Sequence, residues 1–413
     1  MRVIINKSIA NGKINAQPSK SYSHRLLIAA ALRTIHTKKE NLVKNVVLSD
    51  DIKATISCLL TLGLDIRIND NIAYINISNI KKSKNEFVFD CFESGSTLRF
   101  FIPIALALHN SKNERLIFKG TEKLISRGIG PYQEIFSKQG IDIKVNNSEI
   151  IIEGQIKPGE FNIPGDISSQ FITGLLFALP LLNDDSKIIV TKKLESKNYV
   201  DMTIDVLKKI GINVTNNGNV YCLNNNQSYD LYNNSNEFIV EGDYSNAAFI
   251  DALNYLGGEV NVNGLNVDSY QGDIVYKELF DKLNNRNEII DISNCIDLGP
   301  ILFCMASLKK GAHFINTSRL KIKESDRVFD LSEELNKFNV EVIDLGNEVI
   351  INNKDIKAPT VELNGHNDHR IVMALSIMLT KYGGVINGAE AINKSYPSFF
   401  KDLEDLGIEV YYE

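Results

Sequence analysis

Positive charge in this 413-residue chain gathers at predicted helix starts, where it could bind anions. Three such starts lie in residues 18–25 (PSKSYSHR), 93–99 (ESGSTLR) and 367–370 (NDHR), and each of them carries an arginine. A helix N-terminus is already positively polarised and normally favours Asp or Glu. Free backbone N–H groups combined with Arg or Lys bind phosphate or carboxylate. We therefore interpret these starts as parts of a receptor for anionic ligands.

The arginines in question are Arg25, Arg99 and Arg370. The alternative interpretation is that each pairs with an internal acid or lies in solvent, which would suffice for any one of them taken alone. Three arginines at equivalent places favour anion binding instead. Gly95, just before the second helix, would also let the backbone approach a ligand closely.

Residues 319–327 (RLKIKESDR) form a fourth dense group of charges, after a strand-like run at 312–316. A charge run is usually a solvated helix face. Alternating apolar residues divide this one between two faces. We expect Lys323 and Arg327, four residues apart, to share one helical face.

The helices that would position these residues recur along the chain. Nearly all-apolar helices, which we expect to be buried, begin near Ser21, Ser96, Ser168, Ser245, Asp297 and Asp368. Between them lie amphipathic helices followed by strands, with stops at Gly63, Gly140, Gly211, Asn339 and Gly407 and a degraded copy at 276–285. Six units of about 69 residues account for nearly the whole chain. A solenoid and two pseudo-threefold domains of three units are equally natural on this evidence.

Composition defines the broad class of protein. The chain is 44% hydrophobic and 23% charged, which is typical of a globular protein and excludes wholesale disorder. Its length predicts two domains. Polar, turn-rich sequence at 224–230 and 233–236 marks the expected boundary, just before the fourth unit.

Other features of the sequence limit the cellular compartment and the classes of binding partner that we expect. The five cysteines are scattered without a CxxC, so we expect neither a disulfide framework nor a zinc site but a reduced, cytoplasmic protein. Residues 1–7 lack a signal-peptide pattern, and apolar runs such as 371–379 are too short to cross a bilayer. The net charge of −6 argues against nucleic acid.

Several motifs together carry a resemblance to a known family. They are residues 18–25, 165–171 (GDISSQF), 241–245 (EGDYS), 323–327 (KESDR), 367–370 and 394–397 (KSYP). In this order and at these separations, the chain resembles 5-enolpyruvylshikimate-3-phosphate synthase, the 3-phosphoshikimate 1-carboxyvinyltransferase, over essentially its full length. The resemblance implies an α/β fold of two pseudo-threefold domains, each of three βαβαββ units (an inside-out α/β barrel), joined by a two-strand hinge. It places residues 20–239 in one domain and 1–19 plus 240–413 in the other, with the active site in the cleft between them.

The resemblance also implies the substrates, shikimate 3-phosphate and phosphoenolpyruvate, which are both multiply anionic. The implied shikimate 3-phosphate contacts are Lys20, Ser21, Arg25, Ser168, Ser169, Gln170, Ser196, Tyr199, Asp297 and Lys323. Among them, Ser168, Ser169 and Lys323 would hold the phosphate, and Arg25 the carboxylate. The implied phosphoenolpyruvate contacts are Lys20, Gly95, Arg99, Arg127, Gln170, Arg327, Arg370 and Lys394.

The implied reaction moves the enolpyruvyl group to the 5-hydroxyl of shikimate 3-phosphate and releases phosphate. Asp297 would be the base on that hydroxyl, although its place at a helix start also fits a helix cap. Glu324 and Lys20 would protonate the enol carbon and stabilise the adduct. We expect no cofactor and no metal, because fixed cations can neutralise the leaving phosphate. We expect hydrogen-bonding or packing roles for His24 and His369, and a monomer that binds neither nucleic acid nor membrane.

Some residues depart from the family pattern, and two alternative functions remain to be considered. Residues 93–97 (ESGST) stand where many members have Asn-Ala-Gly-Thr, and Arg319 replaces an Asn of some members. The family is the target of glyphosate, an inhibitor that approaches Gly95 in the phosphoenolpyruvate site. UDP-N-acetylglucosamine enolpyruvyl transferase is the nearest rival, but residues 124–131 lack the reactive Cys usual there. A non-enzymatic repeat scaffold would scatter its cations over outer faces.

Overall fold

The computed structural model of the chain describes residues 1–78, 85–109, 114–229, 235–352 and 355–413. Of the polar stretch predicted at the domain boundary, residues 230–234 lie outside the described residues. The strands, in chain order, are β1 (Arg2–Ile5), β2 (Asn11–Asn15), β3 (Asn41–Lys44), β4 (Leu64–Asn69), β5 (Ile72–Ile77), β6 (Glu86–Asp90), β7 (Arg115–Lys119), β8 (Asp142–Val145), β9 (Glu149–Glu153), β10 (Glu160–Ile163), β11 (Ser186–Val190), β12 (Val214–Asn217), β13 (Val220–Leu223), β14 (Glu237–Ile239), β15 (Glu259–Asn263), β16 (Ile289–Asp291), β17 (Ala312–Ile315), β18 (Glu341–Asp344), β19 (Glu348–Asn352), β20 (Leu363–Asn364), β21 (Gly384–Asn387) and β22 (Val410–Tyr412).

The α-helices, in the same order, are α1 (Lys20–Thr37), α2 (Asp50–Thr61), α3 (Gly95–Leu108), α4 (Glu122–Ser126), α5 (Gly130–Ser137), α6 (Ser169–Ala178), α7 (Lys197–Lys209), α8 (Tyr244–Asp251), α9 (Tyr276–Lys282), α10 (Gly299–Leu308), α11 (Arg327–Asn336), α12 (His369–Tyr382) and α13 (Phe399–Asp405). Short 3-10 helices cover Leu179–Leu181, Ala252–Leu256, Gly272–Val275, Ile296–Leu298, Ser318–Ile322 and Ala389–Lys394.

The chain divides into two compact units. One, which we call the continuous unit, is Lys20–Val240. The other, the split unit, combines Met1–Ser19 with Glu241–Glu413. Each unit has its own hydrophobic core.

Among the described residues, each unit contains three sheets, and one strand pattern repeats among them. In the sheet β6-β7-β9-β8, the pair β6 and β7 is parallel and the remaining pairs are antiparallel. Helix α3 connects the two parallel strands, and α4 and α5 connect β7 to the hairpin of β8 and β9. This is a βαβαββ unit, and the sheets β10-β11-β13-β12 and β16-β17-β19-β18 repeat it.

The fourth unit departs from the βαβαββ pattern, and it is the unit that contains the degraded helix copy at 276–285. Its sheet consists of β15 paired in parallel with β2, and within the described ranges no hairpin after α9 joins this sheet. Other units take strands from distant sequence. Strand β14 pairs with β3, and β1 lies between β21 and β22.

The helices predicted to be buried are buried. Helix α10 is buried from Gly299 to Ser307 and α12 from His369 to Thr380. Side chains face core on all sides of these helices, which is why their sequences lack a polar face. Helix α3 packs on α6 in the continuous unit, and α10 packs on α12 in the split unit. Within the described ranges, no helix combines the length and the apolar character needed to span a bilayer.

The predicted helix stops are confirmed by the backbone. The residues concerned all have left-handed φ angles: Gly63 (90°), Gly140 (75°), Gly211 (85°), Asn339 (64°) and Gly407 (88°). A Cβ added at Gly63, Gly140 or Gly407 would meet no atom within 4 Å. The requirement for glycine therefore comes from the backbone conformation that ends the helix and not from crowding.

Candidate active site

Asp297 lies in the 3-10 helix Ile296–Leu298, directly before α10 in the split unit. Its position in the sequence fitted a helix cap, but the residue at the cap position of α10 is Leu298. The Asp297 carboxylate is thus available for other contacts. It is the centre of what we call the Asp297 cluster, which consists of Asp297, Lys323, Glu324, Arg327, Asp368 and Arg370.

Three cations surround the Asp297 carboxylate. Its Oδ1 accepts hydrogen bonds from Lys323 Nζ and Arg327 Nη1, both at 3.1 Å. Its Oδ2 lies 3.4 Å from Arg370 Nη2. Burial by itself would raise the pKa of Asp297, but Arg370, Lys323 and Arg327 bring it well below its ordinary value. Asp297 is therefore a carboxylate at neutral pH.

Lys323 is perturbed in the opposite sense. Burial lowers its pKa from the ordinary value, and the neighbouring Arg327 acts in the same direction. Asp297 and Glu324 oppose this but do not reverse it. An additional anion beside Lys323 would stabilise its charge.

Arg327 binds three acids at once. Its Nε donates to Asp368 Oδ2 at 2.7 Å, its Nη2 to Glu324 Oε2 at 2.7 Å, and its Nη1 to Asp297. The side chain is 1% exposed. Burial alone would lower the pKa of Arg327, but Asp368, Glu324 and Asp297 raise it above the ordinary value. Arg327 thus holds the acids of the cluster in fixed positions.

The prediction that Lys323 and Arg327 share one helical face is wrong. Lys323 has an extended backbone after the 3-10 helix Ser318–Ile322, and α11 begins only at Arg327. Asp326 caps α11 by accepting from Phe329 N at 3.1 Å, so the helix cannot include Lys323. The two cations meet because both donate to Asp297 and not because of helical spacing.

Arg370 enters the cluster from the start of α12. Asp368 caps this helix, and its Oδ1 accepts from Arg370 N at 2.9 Å. The Arg370 guanidinium also donates through Nη1 to the backbone oxygen of Asp297 at 3.2 Å. Lys394, at the end of a 3-10 helix, donates to Asn367 O at 2.6 Å and so lies beside the same helix start.

The Gly95 cluster, which we define as Gly95, Arg99, Arg127 and Gln170, belongs to the continuous unit. Helix α3 begins at Gly95 and is capped by Ser94. A Cβ at Gly95 would lie 2.9 Å from Arg127 Nη1 and 3.0 Å from Arg99 Nη1. Glycine is therefore required for both guanidinium groups to lie against this helix start.

Gln170 connects the Gly95 cluster to α6. Its Oε1 accepts from Arg99 Nη1 at 2.8 Å, and its Nε2 donates to Ser96 Oγ at 2.9 Å. The Arg99 guanidinium also lies over the Phe171 ring, with 5.1 Å between Cζ and the ring centroid. These contacts fix the orientation of a cation that is 5% exposed.

Arg25 lies in α1 of the same unit and is 3% exposed. It donates to Thr203 Oγ1 and Ser21 O at 2.9 Å, to Tyr199 O at 3.1 Å and to Thr173 Oγ1 at 3.4 Å. All four acceptors are uncharged. Burial lowers the pKa of Arg25 to about 10. The arrangement favours an anion as a further partner.

The other predicted contacts of the continuous unit lie at helix starts. Lys20 is the first residue of α1 and pairs with Asp51 Oδ2 at 2.9 Å. Ser168 caps α6, and Ser169 is its first residue. Ser196 precedes α7 with a left-handed φ of 53°.

Histidine roles differ from those of the cations. His24 Nδ1 lies 2.6 Å from Thr55 Oγ1, which confirms a hydrogen-bonding role. Burial, with Lys20 and Arg25 beside it, holds its pKa well below the ordinary value, so the ring is neutral. His369 is buried at the first position of α12.

A separate acidic group occurs in the described part of the split unit. Asp330, Glu333 and His366 have donor atoms close enough to surround a cation. The His366 nitrogens, however, already face Asp330 Oδ1 at 3.2 Å and Glu334 Oε1 at 3.0 Å. Ion pairing among these side chains accounts for the group.

The sequence predicted no site role for several residues that hold the predicted ones in place. They are Asp51, Thr173, Thr203, Ser245, Asp273 and Asp368. Asp368 had a detectable signal, since it stands in the motif 367–370 at a helix start. Thr173 and Thr203 had none, because a threonine on the buried face of a helix usually indicates packing.

Comparison with known proteins places the chain in one family. The model of the EPSP synthase (3-phosphoshikimate 1-carboxyvinyltransferase) family matches residues 6–403. The 3-phosphoshikimate 1-carboxyvinyltransferase of Clostridium perfringens is 41% identical over 430 residues, covering 98% of each chain.

Solved structures agree in fold. EPSP synthase from Acinetobacter baumannii superposes with a TM-score of 0.77 at 17% identity over 100% of each chain. The enolpyruvyl transferase NikO from Streptomyces tendae gives 0.74 at 10% identity, covering 99% of this chain and 98% of its own. The fold class expected from the sequence is confirmed. With its motifs, its six repeated units and a family match along nearly its whole length, the chain belongs to the EPSP synthase family.

Proposed function

We propose that the chain transfers the enolpyruvyl group of phosphoenolpyruvate to the 5-hydroxyl of shikimate 3-phosphate, giving 5-enolpyruvylshikimate 3-phosphate and phosphate. The step belongs to the shikimate pathway to chorismate and the aromatic amino acids. The observation that carries the proposal is the Asp297 carboxylate held among Lys323, Arg327 and Arg370. The cations keep Asp297 ionised and attract an anionic substrate, whose hydroxyl the carboxylate can then deprotonate.

Shikimate 3-phosphate would be held mainly by helix starts. We assign its phosphate to Ser168, Ser169 and Lys323, and its carboxylate to Arg25. The lowered pKa values of Arg25 and Lys323 support this, because each buried cation gains stability from an anionic partner. The remaining assigned contacts are Lys20, Ser21, Gln170, Ser196, Tyr199 and Asp297.

Phosphoenolpyruvate would be held by a second set of residues, most of them cations. We assign it to Lys20, Gly95, Arg99, Arg127, Gln170, Arg327, Arg370 and Lys394. In the Gly95 cluster, the glycine leaves two guanidinium groups beside the N-terminus of α3, and both features favour an anion. Arg327 donates to acids through all of its nitrogens, so its part is to add charge and to fix its neighbours.

Substrate binding itself would activate the base. The cations that lower the pKa of Asp297 are the same ones that the anionic substrates would neutralise. Partial neutralisation of Lys323 and Arg370 raises the proton affinity of Asp297. The carboxylate then takes the proton of the 5-hydroxyl as the oxygen attacks C2 of phosphoenolpyruvate.

Glu324 and Lys20 are the candidates for protonating C3 and stabilising the tetrahedral adduct. Glu324 belongs to the Asp297 cluster, where its carboxylate lies 2.7 Å from Arg327 Nη2. Lys20 is paired with Asp51 in the other unit. The adduct then loses phosphate from C2 and a proton from C3, which regenerates the enol double bond on the new oxygen.

The domain arrangement is part of the proposal. We propose two domains, residues 20–239 and residues 1–19 with 240–413, and an active site in the cleft between them, so that both sets of cations serve one pair of substrates. The enzyme would act as a cytoplasmic monomer without cofactor or metal, since the fixed cations supply the positive charge.

An isotope experiment tests the reaction. With both substrates in D2O, addition of the hydroxyl and a deuteron followed by loss of phosphate puts deuterium into the enolpyruvyl methylene of the product. We expect phosphate release together with that labelling, measured by mass spectrometry. Phosphate release with an unlabelled product would contradict addition and elimination.

A further inference from the structure

Asp273 is a buried carboxyl group that the proposed reaction does not use. It lies in the 3-10 helix Gly272–Val275 of the split unit and is 3% exposed. Its Oδ2 accepts a hydrogen bond from Ser245 Oγ. Its Oδ1 is buried and has no hydrogen-bond partner among the described residues. An acid in such a place costs stability and is retained for a reason beyond packing.

Ser245 connects this acid to the proposed active site. The serine is the second residue of α8, and its Oγ accepts from Arg370 Nη2 at 3.3 Å. A hydroxyl has one proton. Because that proton is donated to Asp273, the oxygen lone pairs face the guanidinium. Asp273, Ser245 and Arg370 therefore form a directed chain of carboxyl, hydroxyl and cation.

The chain holds one side of a guanidinium whose other side meets Asp297. Arg370 Nη1 donates to Asp297 O at 3.2 Å, and Nη2 lies 3.4 Å from Asp297 Oδ2. Without Ser245 and Asp273, the contacts with Asp297 would draw the guanidinium onto the base. With them, Arg370 is held from two directions, by α8 and by the 3-10 helix before α10.

Charged groups of the proposed active site shift the pKa of Asp273. Burial raises its pKa to about 7, and Asp297 and Asp243 act in the same direction. Arg370 and the hydrogen bond from Ser245 act against them. Burial, and to a lesser extent Asp273, raises the pKa of the Cys295 thiol. Asp273 is thus electrostatically coupled to the base and to the arginine.

We propose that Asp273 is a positioning residue that, through the Ser245 hydroxyl, fixes the Arg370 guanidinium for the carboxylate of phosphoenolpyruvate. This inference rests on the proposed function, which assigns Arg370 to that substrate. The specific consequence is that loss of Asp273 weakens the binding of phosphoenolpyruvate and leaves shikimate 3-phosphate binding unchanged.

The test is steady-state kinetics of Asp273→Asn with each substrate varied in turn. Asparagine keeps the shape of the side chain but removes its charge. We expect the KM for phosphoenolpyruvate to rise about tenfold, the size of one charge-assisted hydrogen bond, with kcat within about threefold. The KM for shikimate 3-phosphate should not change. Ser245→Ala should reproduce the effect, Ser245→Thr should restore the KM, and the double variant should be no worse than either single one.

Asp251→Asn is the matched control. Asp251 is also a buried acid, at the end of α8, but its bonds go to Tyr276, Lys277 and Asn254. It should lower stability without a selective change in either KM. Unchanged kinetics of Asp273→Asn, or equal effects on both substrates that match those of Asp251→Asn, would overturn the positioning role. Wild-type protein without turnover would instead refute the proposed function.

Discussion

At the level of single residues, the central feature is a carboxylate whose basicity depends on its neighbours. Asp297 has three cationic partners, and Arg327 links it to Glu324 and Asp368. The sequence allowed Asp297 to be a cap, and only the position of Leu298 at the start of α10 removes that role. The resemblance supplied the chemical role, and the structure supplies the charges that would control it.

The first prediction concerns the base. Asp297→Asn keeps the shape of the side chain but cannot take a proton, so we expect kcat to fall by roughly 10²–10⁴-fold, the usual contribution of general base catalysis. Glu324 and Asp368 still pair with Arg327, so the variant should fold, as circular dichroism would show. The control is Asp344→Asn. Asp344 lies on the surface strand β18 and forms an ion pair with Lys321. A folded Asp297→Asn enzyme with a near-normal rate would rule out this base.

The second prediction concerns Lys20, which is assigned to both substrates. Its ammonium group is held by Asp51 at 2.9 Å, so Lys20→Ala removes a positioned cation. We expect kcat/KM to fall by on the order of 10²–10³-fold, as for loss of one electrostatic contact in an active site. Lys53→Ala, which removes an exposed cation paired with Asp50 in α2, should have little effect. Equal rates for the two variants would remove Lys20 from the site.

At the level of elements, local sequence predicted the helices well because their ends have local causes. Left-handed residues such as Gly63 and Asn339 end helices, and Ser168 and Asp368 cap them. Pairs such as Arg327 and Asp368, 41 residues apart, have no such local signal. The error over Lys323 and Arg327 has the same origin, because the spacing of four residues fits a helix while Asp326 starts a new one.

The third prediction tests the start of α3. In Gly95→Ala, the new Cβ would lie 2.9 Å from Arg127 Nη1 and 3.0 Å from Arg99 Nη1, so at least one guanidinium must move. We expect the KM for phosphoenolpyruvate to rise about tenfold or more, which corresponds to about 1.4 kcal/mol, with a smaller effect on shikimate 3-phosphate. Gly130→Ala, at the start of α5, has no atom within 4 Å of the added Cβ and serves as the control. A selective loss for Gly130→Ala alone would contradict the account.

The fourth prediction concerns the contact between α11 and the turn before α12. Hydrogen bonds to Asp330 and Glu334 raise the pKa of His366 to about 9. Protonated His366 therefore stabilises the fold fully below about pH 6.5, its ordinary pKa, and this contribution is lost as the pH rises through about 9.

We expect His366→Gln to destabilise the protein more at pH 6 than at pH 10, by on the order of 1–2 kcal/mol after allowance for solvent screening. Urea unfolding at the two pH values measures this difference. His36→Gln is the control, because the His36 ring packs at a tilt against Tyr229, with 4.8 Å between ring centroids. Equal destabilisation by His366→Gln at both pH values would show that the ion pairs do not contribute.

At the level of the whole molecule, the strand pairing of distant segments is what the sequence could not predict. Strand β1 pairs with β21 and β22, near the other end of the chain, and β2 pairs with β15. Such pairing leaves no periodic pattern in the sequence. The six units also differ in their number of paired strands. Among the described residues, the sheet of the fourth unit has two strands and each of the other sheets has four.

The net charge of the chain differs in sign from the charge around the proposed ligand sites. A net charge of −6 alone would disfavour anionic ligands. In each unit, however, arginines and lysines gather in local clusters, and burial lowers the pKa of Arg25 and Lys323. Local electrostatics, and not the average, decides which ligands the molecule selects.

The central claim is the identity of the acceptor. The most direct measurement is phosphate release from phosphoenolpyruvate by the purified full-length protein, with shikimate 3-phosphate or with UDP-N-acetylglucosamine as the second substrate. We predict release with shikimate 3-phosphate and only background release with UDP-N-acetylglucosamine. Release that requires UDP-N-acetylglucosamine, or no release with shikimate 3-phosphate, would contradict it.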